Sequence, residues 1–118
     1  KQSVFTILDG DNISFSMELS NIIKDNYSRS DFSTEELFFT LGFSKSQASR
    51  KIKSLTGMAP NKLIQESRLL RALSKLAQSN KTIAEIGYDS GFSSPTYFTR
   101  VFRKRFGISP THFSKQQA

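Results

Sequence analysis

The chain has 118 residues, with 17 Lys and Arg against 10 Asp and Glu, a net charge of +7, and neither Cys nor Trp. That length suits one compact domain or two tightly joined subdomains, and the missing cysteines exclude a disulfide framework or thiolate metal site and fit a reducing cytoplasm. No apolar run approaches the roughly 20 residues needed to cross a bilayer, so no membrane partner is expected for this segment, and no leader pattern stands at the start.

The charge is unevenly spread. Residues 1–31 carry three basic side chains against five acidic ones, leaving −2, whereas residues 32–118 carry 14 against five, leaving +9. A basic region of that density suits a phosphate backbone. The chain opens on Lys rather than Met, which leads to the expectation of an excised piece whose upstream regulatory region is missing.

In residues 1–16 the runs VFTIL and ISFSM flank Asp9-Gly10-Asp11-Asn12. They read as a short β-hairpin turned at Asp9–Asn12 or as a linker remnant. The DGDN run lacks the distal Glu and the 12-residue frame of a calcium loop. A first helix is expected over 17–27, with Leu19, Ile22, Ile23 and Tyr27 on one face. Phe32-Ser33-Thr34-Glu35-Glu36-Leu37 reads as a capping box with a hydrophobic staple: Ser33 caps, Glu36 reaches back, and Phe32 packs on Leu37. It opens a helix over 34–41 that stops at Gly42.

Ser44 with Gln47 opens the next helix, 45–56, which ends at Gly57. Pro60 stands at the first position of a long helix, 60–78, striped by Leu63, Leu69 or Leu70, Leu73, Leu76 and Ala77. Thr82 with Glu85 opens 83–89, Ser94-Pro95 opens 95–106, and Ser109-Pro110 opens 110–115. Gly91 and Gly107 supply the intervening stops.

Part of this series is a repeat. GFSKSQASRKIKSLTGMAP (Gly42 to Pro60) returns as GFSSPTYFTRVFRKRFGISP (Gly91 to Pro110). Glu36, Gly42, Phe43 and Ser44 recur 49 residues on as Glu85, Gly91, Phe92 and Ser93, and Arg50, Gly57 and Pro60 recur 50 residues on as Arg100, Gly107 and Pro110. The one-residue slip falls at a helix start, where a turn absorbs it.

A short helix, a glycine turn and a second helix within about 20 residues is helix-turn-helix spacing. In such a unit the second helix enters the major groove. On 45–56, Ala48, Ile52 and Leu55 should face the core, leaving Ser46, Ser49, Arg50 and Lys53 outside, with Lys45 and Lys51 to the sides. On 95–106, Phe98, Phe102 and Phe106 should face inward, leaving Thr96, Thr99, Arg100 and Arg103 outside, flanked by Lys104 and Arg105. Arginine grips guanine with two donors, and Ser and Thr adapt to several bases. Lys45, Lys51, Lys53, Arg103 and Lys104 suit phosphates, as do the helix N-termini at Ser44 and Ser94. The only histidine, His112, has no evident nucleophile or metal partner in the sequence, so neither an enzyme nor a cofactor is expected.

The chain resembles the DNA-binding domain of the AraC/XylS family of bacterial transcription regulators. The likeness is carried by TIAEIGYDSGFSSPTYFTRVFRKRFGISPTHF (Thr82 to Phe113) and by GFSKSQASRKIKSLTGMAPNKLIQESRL (Gly42 to Leu69). The style of the first half also resembles copies fused to the C-terminus of hybrid two-component sensors. The resemblance implies an all-α fold of seven helices, with two helix-turn-helix subdomains (17–59 and 79–118) joined by a linker helix (60–78). It implies sequence-specific binding of double-stranded DNA, with the two recognition helices in successive major grooves about 34 Å apart. It also implies a contact with RNA polymerase and an upstream sensory or dimerisation domain.

Carried across by motif, the base-reading positions are Ser46, Ser49 and Arg50 in the first half and Pro95, Thr96, Thr99 and Arg100 in the second. Ser46 and Pro95 are too short for bidentate base contacts, so each half should lean on its arginine. Ala48 and Ser49 replace larger residues common in the family, so a lightly packed first core is expected. The competing expectation is a basic helical module that binds an acidic protein without reading DNA.

Overall fold

The computed structural model describes residues 10–117. Among them lie seven helices and no strand: α1 (Gly10–Asn26), α2 (Thr34–Leu41), α3 (Lys45–Thr56), α4 (Pro60–Gln78), α5 (Ile83–Asp89), α6 (Pro95–Phe106) and α7 (Pro110–Gln117). The fold is all-α. The helices sort into two compact units. Among the described residues, the first takes 10–26 together with Asp31–Gln65, and the second takes Tyr27–Ser30 together with 66–117. The division falls inside α4, between Gln65 and Glu66.

The start of the chain differs from expectation. The run ISFSM is helical, part of an α1 that begins at Gly10 rather than Met17. The VFTIL arm of the expected hairpin lies outside the described residues. The alternation of Ile13, Phe15 and Met17 mimics a strand, but Ile13 and Met17 are exposed while Phe15 is buried with Leu19, Ile22 and Ile23. That second set recurs at i, i+4, i+7 and i+8, the helical period, and it decides the element.

In the first unit, Phe15, Leu19, Ile22 and Ile23 of α1 are buried, as are Phe32, then Leu37, Phe38 and Leu41 of α2, Ala48 and Ile52 of α3 and Ile64 of α4. The Ser33 hydroxyl accepts from the Glu36 N–H at 3.1 Å, capping α2. Ser44 and Gln47 close a complete capping box on α3, each side chain accepting the other's backbone N–H at 3.2 Å. Leu55 is half-buried rather than core. The small α3 face is compensated by aromatics from outside it, since Phe15 of α1 meets Phe43 edge-on with ring centroids 5.8 Å apart.

The second unit is built on phenylalanine. Phe98 and Phe102 of α6 are fully buried and form one cluster with Leu69, Ala72, Leu76, Ile86, Phe92 and Val101. Each such ring contributes roughly 1.5–3 kcal/mol of transfer free energy. The α4 stripe holds at Leu69 and Leu76, which are buried as expected, but Ile64 and Ala72 are buried in place of the half-buried Leu63 and Leu73, and Leu70 and Ala77 are exposed. Gly87 lets α5 approach α6, because a Cβ there would stand 2.9 Å from the Phe98 ring.

The segment Tyr27–Ser30, just past α1, is held within this second unit by cations of α4. Arg68 donates from Nε to the Tyr27 carbonyl at 2.9 Å and from Nη2 to the Arg29 carbonyl at 2.7 Å. Arg71 lies over the Tyr27 ring at 4.7 Å, and Lys75 donates to the Tyr27 hydroxyl at 2.9 Å. Partial burial lowers the pKa of Arg68, and the nearby Tyr97 opposes that shift.

Candidate nucleic-acid interface

Each unit places a short helix, a glycine turn and a 12-residue helix in succession. In the first, Gly42 ends α2 at φ 79°, donating its N–H to the Phe38 and Phe39 carbonyls. In the second, Gly91 follows α5 at φ 98°, and Phe92 N–H returns to the Gly87 carbonyl at 3.0 Å. The slip of one residue between the copies is located here, for Phe43 is followed directly by the cap Ser44 while Phe92 is separated from the cap Ser94 by Ser93. From the caps onward the two helices keep a constant offset. The pairs that face the cores are therefore Ala48 with Phe98 and Ile52 with Phe102, and Arg50 matches Arg100.

The opposite faces are open. On α3, Lys45, Ser46, Arg50 and Lys53 are exposed and Ser49 is half-buried. On α6, Thr96, Thr99, Arg100, Arg103 and Lys104 are exposed and Pro95 is half-buried. These six residues line one shallow concavity along the outer side of α6. Pro95 occupies the first turn behind the cap Ser94, whose hydroxyl accepts from Tyr97 N–H at 3.2 Å. The Ser44 and Ser94 oxygens are engaged as acceptors in this capping, which leaves their hydroxyl protons as the groups able to meet a phosphate.

Two basic residues behave differently from their neighbours. The Lys51 ammonium sits 5.2 Å from the Phe15 ring and 5.3 Å from the Phe43 ring, half-buried in a recess that Asp11 and Glu18 also line. It takes part in the packing of α1 on α3 while remaining on the side of the helix expected to meet phosphate. Arg105 makes a bidentate pair with Glu66 of α4, at 2.9 Å from Nε to Oε1 and 2.7 Å from Nη2 to Oε2. That carboxylate raises the Arg105 pKa. The anchored arginine lies on the flank of α6, apart from the concavity lined by Arg100, Arg103 and Lys104.

One residue escaped the sequence reading. Tyr97, 40% exposed, lies beneath the Arg100 guanidinium, whose carbon is 5.1 Å from the ring centroid. The available signal was an aromatic three residues before the arginine on one helix face. His112 is exposed on α7, and its N–H is taken up by the Ser109 cap at 3.1 Å.

The comparisons agree with this geometry. Residues 37–116 match the family model of a helix-turn-helix domain. A transcriptional regulator from Chromobacterium violaceum, described as an AraC-type DNA-binding domain-containing protein, superposes with a TM-score of 0.83 at 31% identity, covering 93% of this chain and 97% of that one. The chain belongs to the AraC-type helix-turn-helix family.

This AraC-type domain is also similar to the DNA-binding domain of AdpA, a global transcriptional factor solved in complex with a target DNA, with a TM-score of 0.80 at 25% identity over 86% of this chain and 90% of that one. Histidine kinase P4 of Formosa agariphila is 36% identical over 95 residues, which is 80% of this chain. The AraC-type chain spans 7% of that kinase's length. No helix among the described residues is long and apolar enough to cross a membrane.

Proposed function

We propose that this domain binds double-stranded DNA in a sequence-specific manner as the output module of a bacterial transcription regulator in the cytoplasm. The observation that carries the reading is the repeated open face. Ser46, Ser49 and Arg50 on α3, and Thr96, Thr99 and Arg100 on α6, stand opposite buried core residues at the same helical positions. Each arginine offers two donors to a guanine edge, and the short hydroxyl side chains beside it let the helix backbone come close to the bases. Pro95 holds the entry to α6. Lys45, Lys53, Arg103 and Lys104 meet phosphates and make the affinity depend on salt. Successive major grooves of one duplex receive the two recognition helices. The DNA complex of the similar AdpA domain supports this mode.

The similarity to histidine kinase P4 supports an upstream sensory region in the whole protein, with this domain as its DNA-directed end. Contact with RNA polymerase is then the step that links occupancy to transcription. The domain itself works by binding and not by catalysis.

Selection of bound duplexes from a random pool tests the reading. The expected result is a recurrent sequence in two parts, each degraded by one arginine variant: Arg50→Ala in one and Arg100→Ala in the other, at about 1–3 kcal/mol each. Equal binding to every duplex would reduce both arginines to phosphate clamps. Failure to bind duplex at low salt, together with capture of an acidic protein, would establish the rival reading of a protein-interaction module.

A further inference from the structure

The two reading arginines are not held alike. Arg100 rests on Tyr97, 5.1 Å from the ring centroid. Tyr97 in turn leans on Phe92, with ring centroids 6.3 Å apart and planes tilted by 49°. Phe92 is buried and packs against Phe98, itself fully buried, with ring centroids 5.0 Å apart and planes tilted by 40°. A continuous series of rings thus runs from the core of the second unit to the guanidinium on its surface. The same place in α3 is occupied by Gln47, and its side chain is engaged in the capping box with Ser44. Arg50 therefore has no ring three residues before it.

We propose that Tyr97 is a positioning residue for base reading, one that pre-orients Arg100 and makes the second half of the domain the more stringent reader. This rests on the DNA-binding function proposed above. A free arginine loses the freedom of several side-chain torsions on docking to a guanine. A guanidinium already held over an aromatic face loses less, and its N–H donors remain available for O6 and N7. The ring contact acts before DNA arrives. Its effect is on how sharply one base pair is discriminated, not on the general attraction to phosphate.

The test is a double-mutant cycle with the full chain, the duplex selected by the wild-type domain and a scrambled duplex of the same length. Tyr97→Leu should weaken binding to the selected duplex about two- to fivefold. It should flatten the preference at the base pair that Arg100→Ala makes indifferent, and leave binding to the scrambled duplex unchanged. Tyr97→Phe keeps the ring and should bind as wild type. In an Arg100→Ala background, Tyr97→Leu should add nothing. Should Tyr97→Leu lose its helical circular dichroism, Tyr97→Gln, which borrows the residue of the first repeat, takes its place in the cycle.

An equal loss in both backgrounds would overturn the proposal, because the ring would then act without Arg100. So would a Tyr97→Phe variant as impaired as Tyr97→Leu. A wild-type domain that selects no sequence defeats the DNA-reading function itself, an outcome plainly separate from the other two.

Discussion

Arg105 and Glu66 form a fork-to-fork pair, with Nε and Nη2 of the arginine each donating to a separate carboxylate oxygen. The two residues belong to α6 and α4 of the second unit, so the pair pins the C-terminal half of the recognition helix to the long helix behind it. It also divides the basic cluster Arg103-Lys104-Arg105 by role. The first prediction concerns that division. Arg103→Ala and Lys104→Ala should each reduce the log–log salt slope of duplex binding by about 0.9. Arg105→Ala should leave the slope unchanged, because its charge is already matched within the protein. Titration of each variant over sodium chloride checks this.

Gly42 and Gly91 are equivalent in the repeat but not in cost. Both have positive φ, at 79° and 98°. Around Gly42 an added Cβ meets nothing within 4 Å, whereas at Gly91 it would stand 2.0 Å from the Tyr27 carbonyl and 2.6 Å from Arg68 Nε. Gly42→Ala should therefore cost only the left-handed backbone strain of roughly 1–2 kcal/mol. Gly91→Ala adds an overpacking term and should cost about 3–5 kcal/mol. Urea denaturation of both variants measures the difference, and equal losses would mean that the Tyr27 segment yields without resistance.

Ser90 is fully buried, and its hydroxyl has no hydrogen-bond partner. A buried unpaired hydroxyl is costly, and removing it also removes the penalty. Ser90→Ala should thus be neutral or stabilising by up to about 1 kcal/mol. A destabilisation larger than that in thermal unfolding would reveal a bond formed by the hydroxyl in solution.

The capping box on α5 makes a pH prediction. The Glu85 carboxylate accepts the Thr82 N–H at 2.8 Å, and this bond with the Thr82 hydroxyl contact holds its pKa below the ordinary value of 4.5. A group with a depressed folded-state pKa contributes stability that is complete above the unfolded value and is lost as pH falls through the folded one. Wild type should lose more thermal stability than Glu85→Gln between neutral pH and about pH 3. Parallel melting points for the two proteins would remove the carboxylate from the account.

The caps and stops were the most legible part of the chain. Ser44, Thr82 and Ser94 with their partners, and Gly57 and Gly107 as left-handed ends, mark α3, α5 and α6 to the residue, because capping chemistry is local. The start of α1 was hidden, since over five residues Ile13, Phe15 and Met17 satisfy a period of two, and only Leu19, Ile22 and Ile23 further along reveal the longer period. The open faces of α3 and α6 were readable from the repeat. The engagement of Lys51 by Phe15, and of Arg105 by Glu66, was not, because in each case the partner lies on another helix more than 30 residues away. Charge counts treat such cations as interchangeable with free ones.

Tyr27 has a lasting consequence for anyone dissecting this domain. It comes early in the chain yet completes the later unit, its carbonyl receiving Arg68 and its ring lying under Arg71 and Lys75. A fragment cut to start at the long helix would keep every exposed residue of α6 and still arrive with an empty socket, Arg71 and Lys75 left around the place of a missing phenol and Arg68 without the carbonyls it grips.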